Sequence, residues 1–427
     1  MIVCDHKDSA RTGLVCEHLL VKTDSEHYKR AGAYHRCFSG KGLEFAIVCP
    51  ACAARPDGGA ASWRVICESC VQDIACGTRF GDIGSPQFPI RNTSLHLEHE
   101  TFELPPVIRG VRIAEPMGRS SKGDWLIQTE NLDLAVISPR TGQARILWTA
   151  SDSKLDPDEV LSLKGSSDGR FAAVASTHGQ HGYVLDVESS EITMRLDRGN
   201  YRNEHCAFPI AFLNYQEQTL IVHGSDWNRL DVSQPATGKL LTNRGPTSYS
   251  EGEERPRHFL NYFHCGLSIS PNDEWIVDNG WAWQPVGVVT TWNVKTWLSS
   301  NVWESEDGSS LKGLCVRDYY WDGPVCWINN TTLAVWGYGD DNLLPAVRLF
   351  DVVSGEERKV FAGPAQGPLA FHDWLFSWPK GKPFTVWDID DGARIFEDSA
   401  FSPLGYHPGT QEFLSIADGK IRLSKLK

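Results

Sequence analysis

The chain has no uninterrupted run of eighteen apolar residues, and its first residues carry neither a basic flank nor an apolar segment. The first absence argues against a membrane-spanning helix, and the second against a secretory signal peptide. Basic residues are in the minority, with 41 lysines and arginines against 54 aspartates and glutamates. The resulting net charge of -13 argues against general binding of a nucleic-acid backbone. These absences predict that the protein binds no membrane, and they argue against nucleic acid as its general partner. The closely spaced Cys/His pairs described below favour metal over disulfides, and reduced cysteines predict a cytoplasmic location.

Motifs for catalysis are equally scarce. The chain contains no phosphate-binding Gly-x-x-x-x-Gly-Lys-Ser/Thr segment. Residues 165–169 fit the Gly-x-Ser-x-Gly pattern of hydrolases, but that pattern requires a helix after the serine. The residues that follow it here are typical of a strand. We therefore predict that the protein is not an enzyme.

What the chain does contain is a repeat. A strand that ends in a short apolar-polar-apolar signature, followed by a turn, recurs seven times at intervals of 36 to 62 residues. The polar residue is aspartate in four copies, asparagine in one and serine in two weaker copies. The signature positions are Ser138, Asp186, Asp231, Asn293, Asp351, Asp388 and Ser424. The short intervals match one four-stranded propeller blade each. The two longest intervals predict loop insertions around residues 243–260 and 300–322.

This pattern resembles the WD-repeat β-propeller family over residues 95–427, with Trp387-Asp388 as a literal Trp-Asp at the signature position. The resemblance implies a mainly β fold, a seven-bladed β-propeller. The last copy, from residue 401 onward, has room for only three strands. Residues 95–104 alternate between apolar and polar side chains, as a strand does. We predict that they close the last blade beside the C-terminal strand, which removes the open edges of the ring.

Cysteines are concentrated at the other end of the chain, where eight of the twelve fall within the first 76 residues. Closely spaced pairs of cysteine and histidine are typical zinc ligands, and eight ligands fill two tetrahedral sites. We predict two structural Zn2+ ions bound by Cys4, His6, Cys16, His18, Cys49, Cys52, Cys67 and Cys70. Sequential and cross-braced pairing of these ligands both remain open. The four later cysteines stand in apolar or aromatic segments and are predicted to be buried: Cys206, Cys265, Cys315 and Cys326.

The zinc ions explain how a short region folds, because about 80 residues with few large apolar side chains bury too little surface. The predicted organisation is a zinc-binding module over residues 1–80, a linker over 81–94 and the propeller over 95–427. Cys16-Glu17-His18-Leu19 and Cys67-Glu68-Ser69-Cys70 resemble segments of ubiquitin-protease-type zinc fingers. That resemblance implies binding of a ubiquitin-like tail by this module.

Nine of the sixteen tryptophans lie between Trp275 and Trp336. Two aromatic clusters within this stretch, residues 280–285 and 317–323, contain turn residues as well as tryptophan, tyrosine and arginine. These residue types are enriched at the energetic centres of protein interfaces. The predicted interface residues are Trp281, Trp283, Arg317, Tyr319, Tyr320 and Trp321.

Together these features favour a non-catalytic scaffold that binds a protein partner through its propeller loops and its zinc-stabilised module. Two alternatives come from other classes of function. One is an enzyme or small-ligand receptor with a site in the propeller channel, which requires inward-pointing histidines and carboxylates at one channel mouth. The other is binding of nucleic acid or a ubiquitin-like tail by the zinc module. The sequence predicts neither the identity of the partner nor the oligomeric state.

Overall fold

The described part of the chain consists almost entirely of β-strands. The structure, a computed structural model, describes residues 12–22, 28–30, 35–38, 45–48, 63–67, 94–118, 123–149, 154–155, 160–283, 285–338 and 343–427. No helix within these ranges has the length and apolar character needed to cross a membrane.

Six short strands lie among the described residues of the N-terminal region before residue 94. They are β1 (Thr12–Cys16), β2 (Leu20–Lys22), β3 (Tyr28–Arg30), β4 (His35–Phe38), β5 (Phe45–Val48) and β6 (Trp63–Cys67). Four of them form a sheet in the order β4-β5-β1-β6, while β2 and β3 form a separate hairpin. Within the sheet, β1 is parallel to β5 and antiparallel to β6.

Seven antiparallel sheets form the rest of the described chain, and each is one blade of a propeller. Strand β7 (Leu97–Glu103) precedes them in sequence. Blade 1 contains β8 (Ile113–Pro116), β9 (Trp125–Gln128), β10 (Leu134–Ser138) and β11 (Gln143–Trp148). Blade 2 contains β12 (Leu161–Gly165), β13 (Phe171–Ser176), β14 (His181–Asp186) and β15 (Ile192–Asp197). Blade 3 contains β16 (Ile210–Tyr215), β17 (Gln218–Asp226) and β18 (Arg229–Ser233).

The remaining four blades complete the ring. Blade 4 contains β19 (Tyr262–Ile269), β20 (Trp275–Ala282), β21 (Val286–Asn293) and β22 (Lys312–Asp318), with helices α1 (Val294–Ser299) and α2 (Glu304–Asp307) before its last strand. Blade 5 contains β23 (Val325–Trp327), β24 (Thr332–Tyr338), β25 (Leu344–Asp351) and β26 (Glu357–Ala362). Blade 6 contains β27 (Leu369–His372), β28 (Trp374–Ser377), β29 (Phe384–Trp387) and β30 (Arg394–Asp398). Blade 7 contains β31 (Gly405–His407), β32 (Glu412–Ala417), β33 (Lys420–Leu426) and β7. The predicted seven-bladed, mainly β propeller is confirmed.

The hydrophobic core is divided among the seven blade-to-blade contacts, each of which has its own cluster of buried side chains. The middle strands are therefore apolar on both faces, and all six residues of β13 are buried. The cluster between blades 7 and 1 joins Leu414 and Ile421 to Trp125 and Ile127, so the ring is closed by side-chain packing. Strand β7 is antiparallel to β33 from Leu97 opposite Leu426 to Glu103 opposite Lys420.

The side chains of the signature aspartates Asp186 and Asp351 accept hydrogen bonds from the backbone of the turns that follow their strands. One carboxylate oxygen of Asp186 accepts hydrogen bonds from the backbone N–H groups of Glu188 and Ser189, both at 3.0 Å. Asp351 binds Val353 N and Ser354 N at the same distances. These are local contacts within a four-residue segment, which explains why the signature is visible in the sequence.

Blade 3 departs from the four-stranded pattern, because it has three strands and its outer edge is covered by the chain that follows. Leu241 N donates to Val232 O at 2.8 Å, and Val232 N donates to the hydroxyl of Thr242 at 2.9 Å. Further along the same edge, the guanidinium of Arg244 donates to Leu230 O at 2.7 Å. One backbone hydrogen bond and two side-chain hydrogen bonds thus cover the edge where a fourth strand would pair, and they leave less of it open to further pairing.

Candidate protein-interaction surface

Two kinds of connection emerge on one face of the propeller, here called the upper face. In an antiparallel meander the chain alternates between the two ends of a blade. The connection between the second and third strands therefore shares a face with the connection that leads to the next blade. Around blades 3 and 4, four such segments meet on the upper face: residues 198–209, 227–228, 283 with 285, and 319–324.

A pair of buried stacked rings forms the floor beneath these segments. Phe263 on β19 lies directly opposite Trp281 on β20, and cross-strand neighbours of this kind have their side chains on one side of the sheet. Their ring centroids are 4.1 Å apart with an interplanar angle of 4°. The side chains of Phe263 and Trp281 are 0% and 3% exposed, so the floor is fixed within the core.

Four further rings surround this floor, each from a different one of the four segments. We call them the aromatic patch, and they are Tyr201, Trp227, Trp283 and Trp321. The ring centroid of Trp227 lies 4.6 Å from that of Phe263, and the ring centroid of Tyr201 lies 5.9 Å from it. The centroids of Tyr201 and Trp227 are 5.4 Å apart. The ring centroids of Trp283 and Trp321 lie 5.5 Å and 5.2 Å, respectively, from the ring centroid of Trp281. Tyr201 is 49% exposed and Trp283 is 39% exposed, so the patch presents ring surface to solvent.

The array of rings continues into the insertion that follows β18. Phe259 lies 6.1 Å from Trp227 and 5.2 Å from Tyr249, whose side chain is 44% exposed. The insertion predicted from the long repeat interval thus extends the aromatic surface.

Hydrogen bonds fix the segment that carries Tyr201. The guanidinium of the buried Arg198 donates to four backbone carbonyl groups at 2.8 to 3.0 Å, those of Gly179, Asn203, Cys206 and Ala207. The indole N–H of Trp321 donates to His205 O at 2.5 Å. The guanidinium of Arg202 lies 5.5 Å from the ring centre of Trp283, which is cation–π distance. The patch is therefore a preorganised surface.

Asp322 connects the segment 319–324 to the segment 198–209 and to strand β19. Its carboxylate accepts hydrogen bonds from Ala207 N and Gly266 N, both at 2.8 Å. Burial raises the pKa of Asp322 above its ordinary value, against the lowering effect of these two hydrogen bonds. The segment adopts left-handed backbone at Tyr319 and at Asp322, with φ of 52° and 51°. Left-handed backbone is uncommon for a bulky residue such as tyrosine, and it often marks a functional segment.

The six predicted interface residues divide into two groups. Tyr319 is 74% exposed, Trp283 contributes to the patch, and Tyr320 and Trp321 are half-buried. Trp281 and Arg317 are buried and present no side-chain surface to a partner. Trp281 is the floor of the patch.

The buried position of Arg317 follows from the hydrogen bonds that its guanidinium makes. It donates to Asn279 Oδ1 at 2.6 Å and to Trp336 O at 3.2 Å, and it lies 4.8 Å from the ring centre of Tyr320. Burial lowers the pKa of Arg317 and raises the pKa of Tyr320 to about 12. The Arg317 and Tyr320 side chains therefore contact each other and neighbouring strands within the fold.

Two members of the patch, Tyr201 and Trp227, are absent from the sequence-based prediction. Each stands alone in a short polar turn, without another aromatic residue beside it. Their only signal in the sequence is a large aromatic side chain at a turn between two strands. Contacts between blades bring them to the tryptophans of blade 4.

Of the predicted zinc ligands, Cys4, His6, Cys49, Cys52 and Cys70 lie outside the described residues. Cys67 is described through its backbone as the last residue of β6. Cys16 Sγ and His18 Nδ1 are 3.5 Å apart, with Cys16 buried and His18 exposed. Two ligands of one tetrahedral zinc ion stand about 3.5 Å apart when one is sulfur and the other nitrogen. The described residues contain no group of three or more candidate ligands.

The central channel contains a cavity of about 670 Å³. Among the described residues, its titratable lining consists of Glu115, Asp322, Cys326 and Tyr406, with no histidine. Burial raises the pKa values of Cys326, to about 12, and of Tyr406. The cluster of histidines and carboxylates that an active site in the channel requires is not formed by these residues.

The four later cysteines are buried, as predicted. Cys206 and Cys265 lie under the aromatic patch, in one cluster with Phe263 and Trp281. Cys315 and Cys326 belong to the clusters that blade 5 forms with its two neighbours.

No protein-family model matches the chain, and no curated protein shows significant sequence similarity to it. Many solved structures resemble it in fold. One of them is a chain of the crystal structure of the mitotic checkpoint complex, with 14% sequence identity and a TM-score of 0.49. The match covers 81% of this chain and 96% of that one.

Proposed function

We propose that the protein is a non-catalytic scaffold that binds a partner protein on the aromatic patch of its upper face. The observation that carries this proposal is the convergence of Tyr201, Trp227, Trp283 and Trp321 from four separate segments onto a buried, stacked pair of rings. Rigid aromatic side chains lose little conformational entropy on binding and bury a large area. Tyrosine and tryptophan are accordingly enriched among the residues that dominate interface energetics.

The surroundings of the patch favour a protein partner over a small molecule. The rings form an extended array from Trp321 to Tyr249 rather than a deep pocket, and polar groups such as Arg202 and Glu204 stand beside it. Aromatic residues at the centre and polar residues at the rim are the usual anatomy of a protein interface.

Affinity capture with patch variants tests the proposal. The full chain, the variant Tyr201→Ala/Trp283→Ala and a control variant are immobilised and exposed to an extract of the producing cells. Val107→Ala is the control, because Val107 is 55% exposed and lies in the connection between β7 and β8, on the same face but at other blades. Retained proteins are quantified by mass spectrometry, and circular dichroism checks that each variant is folded.

We expect at least one protein to be retained by the wild type and the control and lost with the patch variant. Truncating two interface tryptophan or tyrosine residues typically weakens binding by more than about tenfold. If every retained protein binds the folded patch variant as well as the wild type, the proposal is wrong. The variant Tyr319→Ala then tests whether the neighbouring exposed loop is the contact surface instead.

For the N-terminal module we propose that two structural zinc ions stabilise it, with Cys16 and His18 bound to the same ion. The 3.5 Å separation of their ligand atoms supports this assignment. The strand register further limits the pairing. Cys16 lies opposite Trp63 and Cys67 lies opposite Thr12, so the two cysteines are four residues, or about 13 Å, apart along β1. One zinc ion does not span that distance, which argues against cross-braced pairing.

The same register supports a particular partner for the Cys16/His18 pair. Val15 pairs with Ile47 in the parallel β1–β5 ladder, so β5 ends at the same edge of the sheet as Cys16. The pair Cys49/Cys52 follows directly in sequence. We therefore propose that Cys16, His18, Cys49 and Cys52 bind one zinc ion, and that Cys4, His6, Cys67 and Cys70 bind the other.

A further inference from the structure

Two adjoining cavities occupy the central channel of the propeller. The larger one, of about 670 Å³, is lined by blades 1, 4, 5, 6 and 7, and the smaller one, of about 310 Å³, mainly by blades 1 to 4. Glu115, Ser268 and Pro408 line both cavities, so the two meet in the channel. Volumes of about 300 to 1,000 Å³ are typical of small-molecule sites. The channel is therefore large enough for a small-molecule ligand.

The channel wall is preformed and poor in backbone donors. Proline fixes its own φ angle and has no N–H group. Five prolines line the larger cavity: Pro116, Pro271, Pro324, Pro368 and Pro408. Side chains must therefore supply most of the hydrogen bonds and charges that orient a ligand there.

Three aromatic rings form one side of the larger cavity. Trp327 comes from blade 5, and Phe371 and Trp378 come from blade 6. We call these three residues the aromatic wall. Each of them is half-buried and packs against a core cluster, so the rings are held in place while part of each faces the cavity. Because aromatic rings bury a large apolar area on contact, this wall fits an aromatic ligand.

Two opposite charges line the cavities without a partner. The carboxylate of Glu115 in β8 and the ammonium group of Lys164 in β12 are half-buried, and neither forms a hydrogen bond or ion pair with any residue that the structure describes. The other two carboxylates of the lining are already bound. Asn214 Nδ2 donates to Asp273 at 3.4 Å, and two backbone N–H groups donate to Asp322. A half-buried charge without a partner is stabilised by a ligand group of the opposite charge.

Strand alternation explains why Glu115 and Lys164 do not bind each other. Neighbouring residues of a strand point to opposite faces of the sheet. Ile113 packs against the cluster between blades 1 and 2, so Glu115, two residues further on, lies on the same face of blade 1. Leu163 also belongs to that cluster, so Lys164 lies on the opposite face of blade 2, toward blade 3. Strand β12 therefore separates the two charges, which line the channel on either side of its inner edge.

The order of these groups along the channel specifies the ligand. Among the described residues, the aromatic wall lines the larger cavity, Glu115 lines both cavities, and Lys164 lines the smaller one. A matching ligand carries an aromatic body, then a cation, then an anion. We propose that the channel binds a free aromatic α-amino acid, with its ring against the aromatic wall, its ammonium group on Glu115 and its carboxylate on Lys164. This site goes beyond the proposed interaction function, because it uses no residue of the aromatic patch.

Calorimetric titration of the full chain with three probes tests the proposal. The probes share a benzene ring and differ in charge: L-phenylalanine carries both charges, phenethylamine only the cation and 3-phenylpropionate only the anion. We expect L-phenylalanine to bind at one site, and each single-charge probe to bind at least about tenfold more weakly, since each lacks one charge-assisted hydrogen bond. The proposal is wrong if L-phenylalanine does not bind, or if it binds no more tightly than either of the other two probes.

Variants without one charge assign the two contacts. Glu115→Gln should weaken the binding of L-phenylalanine and phenethylamine at least about tenfold and leave that of 3-phenylpropionate unchanged. Lys164→Gln should weaken the binding of L-phenylalanine and 3-phenylpropionate and leave that of phenethylamine unchanged. The matched controls Glu130→Gln and Lys239→Gln alter exposed residues and should change no affinity. If L-phenylalanine binds either folded channel variant as tightly as its control, the assigned contact is wrong.

The patch variant separates this site from the proposed interaction function. Tyr201→Ala/Trp283→Ala should bind L-phenylalanine with the affinity of the wild type. Loss of that binding in the folded patch variant would place the ligand on the patch and overturn the channel site. Failure of partner capture, in contrast, leaves the calorimetric result untouched. Circular dichroism checks the folding of each variant, and the comparison of the three probes on the wild type needs no variant.

Discussion

The guanidinium of Arg244 and the carboxylate of Glu306 form an ion pair with a 2.5 Å separation between Nη2 and Oε1. Arg244 belongs to the insertion that covers the edge of blade 3, and Glu306 belongs to helix α2 of the blade 4 insertion. The same guanidinium binds Asp231 Oδ1 at 2.7 Å and the backbone carbonyl of Leu230. The two predicted insertions therefore contact each other through this ion pair, while residues 241–244 cover the open edge of blade 3.

We expect Glu306→Gln to lower the free energy of unfolding by about 3–5 kcal/mol, because the variant leaves part of a buried arginine charge uncompensated. Both side chains of the pair are 1% exposed, so solvent screens the interaction little. Urea-induced unfolding followed by tryptophan fluorescence measures the change. The matched control is Glu100→Gln, which removes an exposed ion pair with Arg140 and should cost less than about 1 kcal/mol. Equal effects of the two substitutions would contradict this account.

The carboxylate of Asp231 predicts an acid-sensitive contribution to stability. Burial raises its pKa, but hydrogen bonds from Arg229 and Ser225 and the charges of Arg244 and Arg229 outweigh burial, so the net shift is downward. A folded-state pKa below the unfolded value of about 3.9 stabilises the protein fully above that pH. This stabilisation is lost as the pH falls through the lower folded-state pKa.

We therefore expect Asp231→Asn to reduce stability at neutral pH and to flatten the decline in stability below about pH 4. Chemical unfolding at a series of pH values measures both effects. Asp418→Asn is the control, because Asp418 is exposed and its left-handed backbone also accepts asparagine. If the unfolding free energy of the Asp231→Asn protein declines below about pH 4 as steeply as that of the wild type, the Asp231 carboxylate does not cause the acid sensitivity.

A glycine beneath the 319–322 segment predicts a steric effect on the patch. A Cβ atom at Gly287 would lie 1.8 Å from the carbonyl oxygen of Tyr320. Gly287→Ala must therefore displace the backbone that leads to Trp321, and we expect a loss of about 1–3 kcal/mol in unfolding free energy together with weaker partner binding.

Gly313→Ala is the matched control for this substitution, because Gly313 is in the neighbouring strand β22 and a Cβ atom there meets nothing within 4 Å. Its unfolding free energy should stay within about 1 kcal/mol of the wild-type value. Thermal unfolding and partner capture are measured for both variants. If Gly287→Ala behaves like Gly313→Ala, the close approach to Tyr320 does not constrain the segment.

The zinc proposal predicts two metal ions per chain and a defined pattern of loss. Native mass spectrometry should show that Cys16→Ser loses one zinc ion and that Cys16→Ser/Cys52→Ser also loses only one, because both residues are assigned to one site. Cys16→Ser/Cys67→Ser should lose both ions. Fewer than two ions in the wild type would contradict the two-site proposal, and loss of one ion from the Cys16/Cys67 variant would contradict the pairing.

The propeller is predictable from the sequence because its signals are local. Asp186 and Asp351 bind backbone groups two and three residues ahead, so each turn needs only its own segment. Strand alternation in residues 95–104 is equally local, and it correctly indicates a strand that pairs with β33. The three-stranded blade 3 is less predictable, since Arg244 satisfies a strand edge through contacts with residues that are distant in sequence.

The interaction surface is only partly predictable. Composition identifies Trp283 and Trp321, because both stand in turns rich in aromatic residues. Composition does not distinguish Arg317, whose guanidinium is enclosed by Asn279 and Trp336, from an exposed arginine. That distinction depends on which side of β22 faces the neighbouring blade, and strand register decides it.

The sequence by itself determined the repeating β fold, the number of signature turns and the pairs of candidate metal ligands, because each depends on residues within a few positions of one another. Only the tertiary structure decided which rings form the patch, where the later cysteines lie in the core and what covers the open edge of blade 3. Tyr201, Trp227, Trp283 and Trp321 come together because blades 3 and 4 pack side by side and send their loops to one face. Contacts of this kind arise from the closure of the ring, and no short segment contains them.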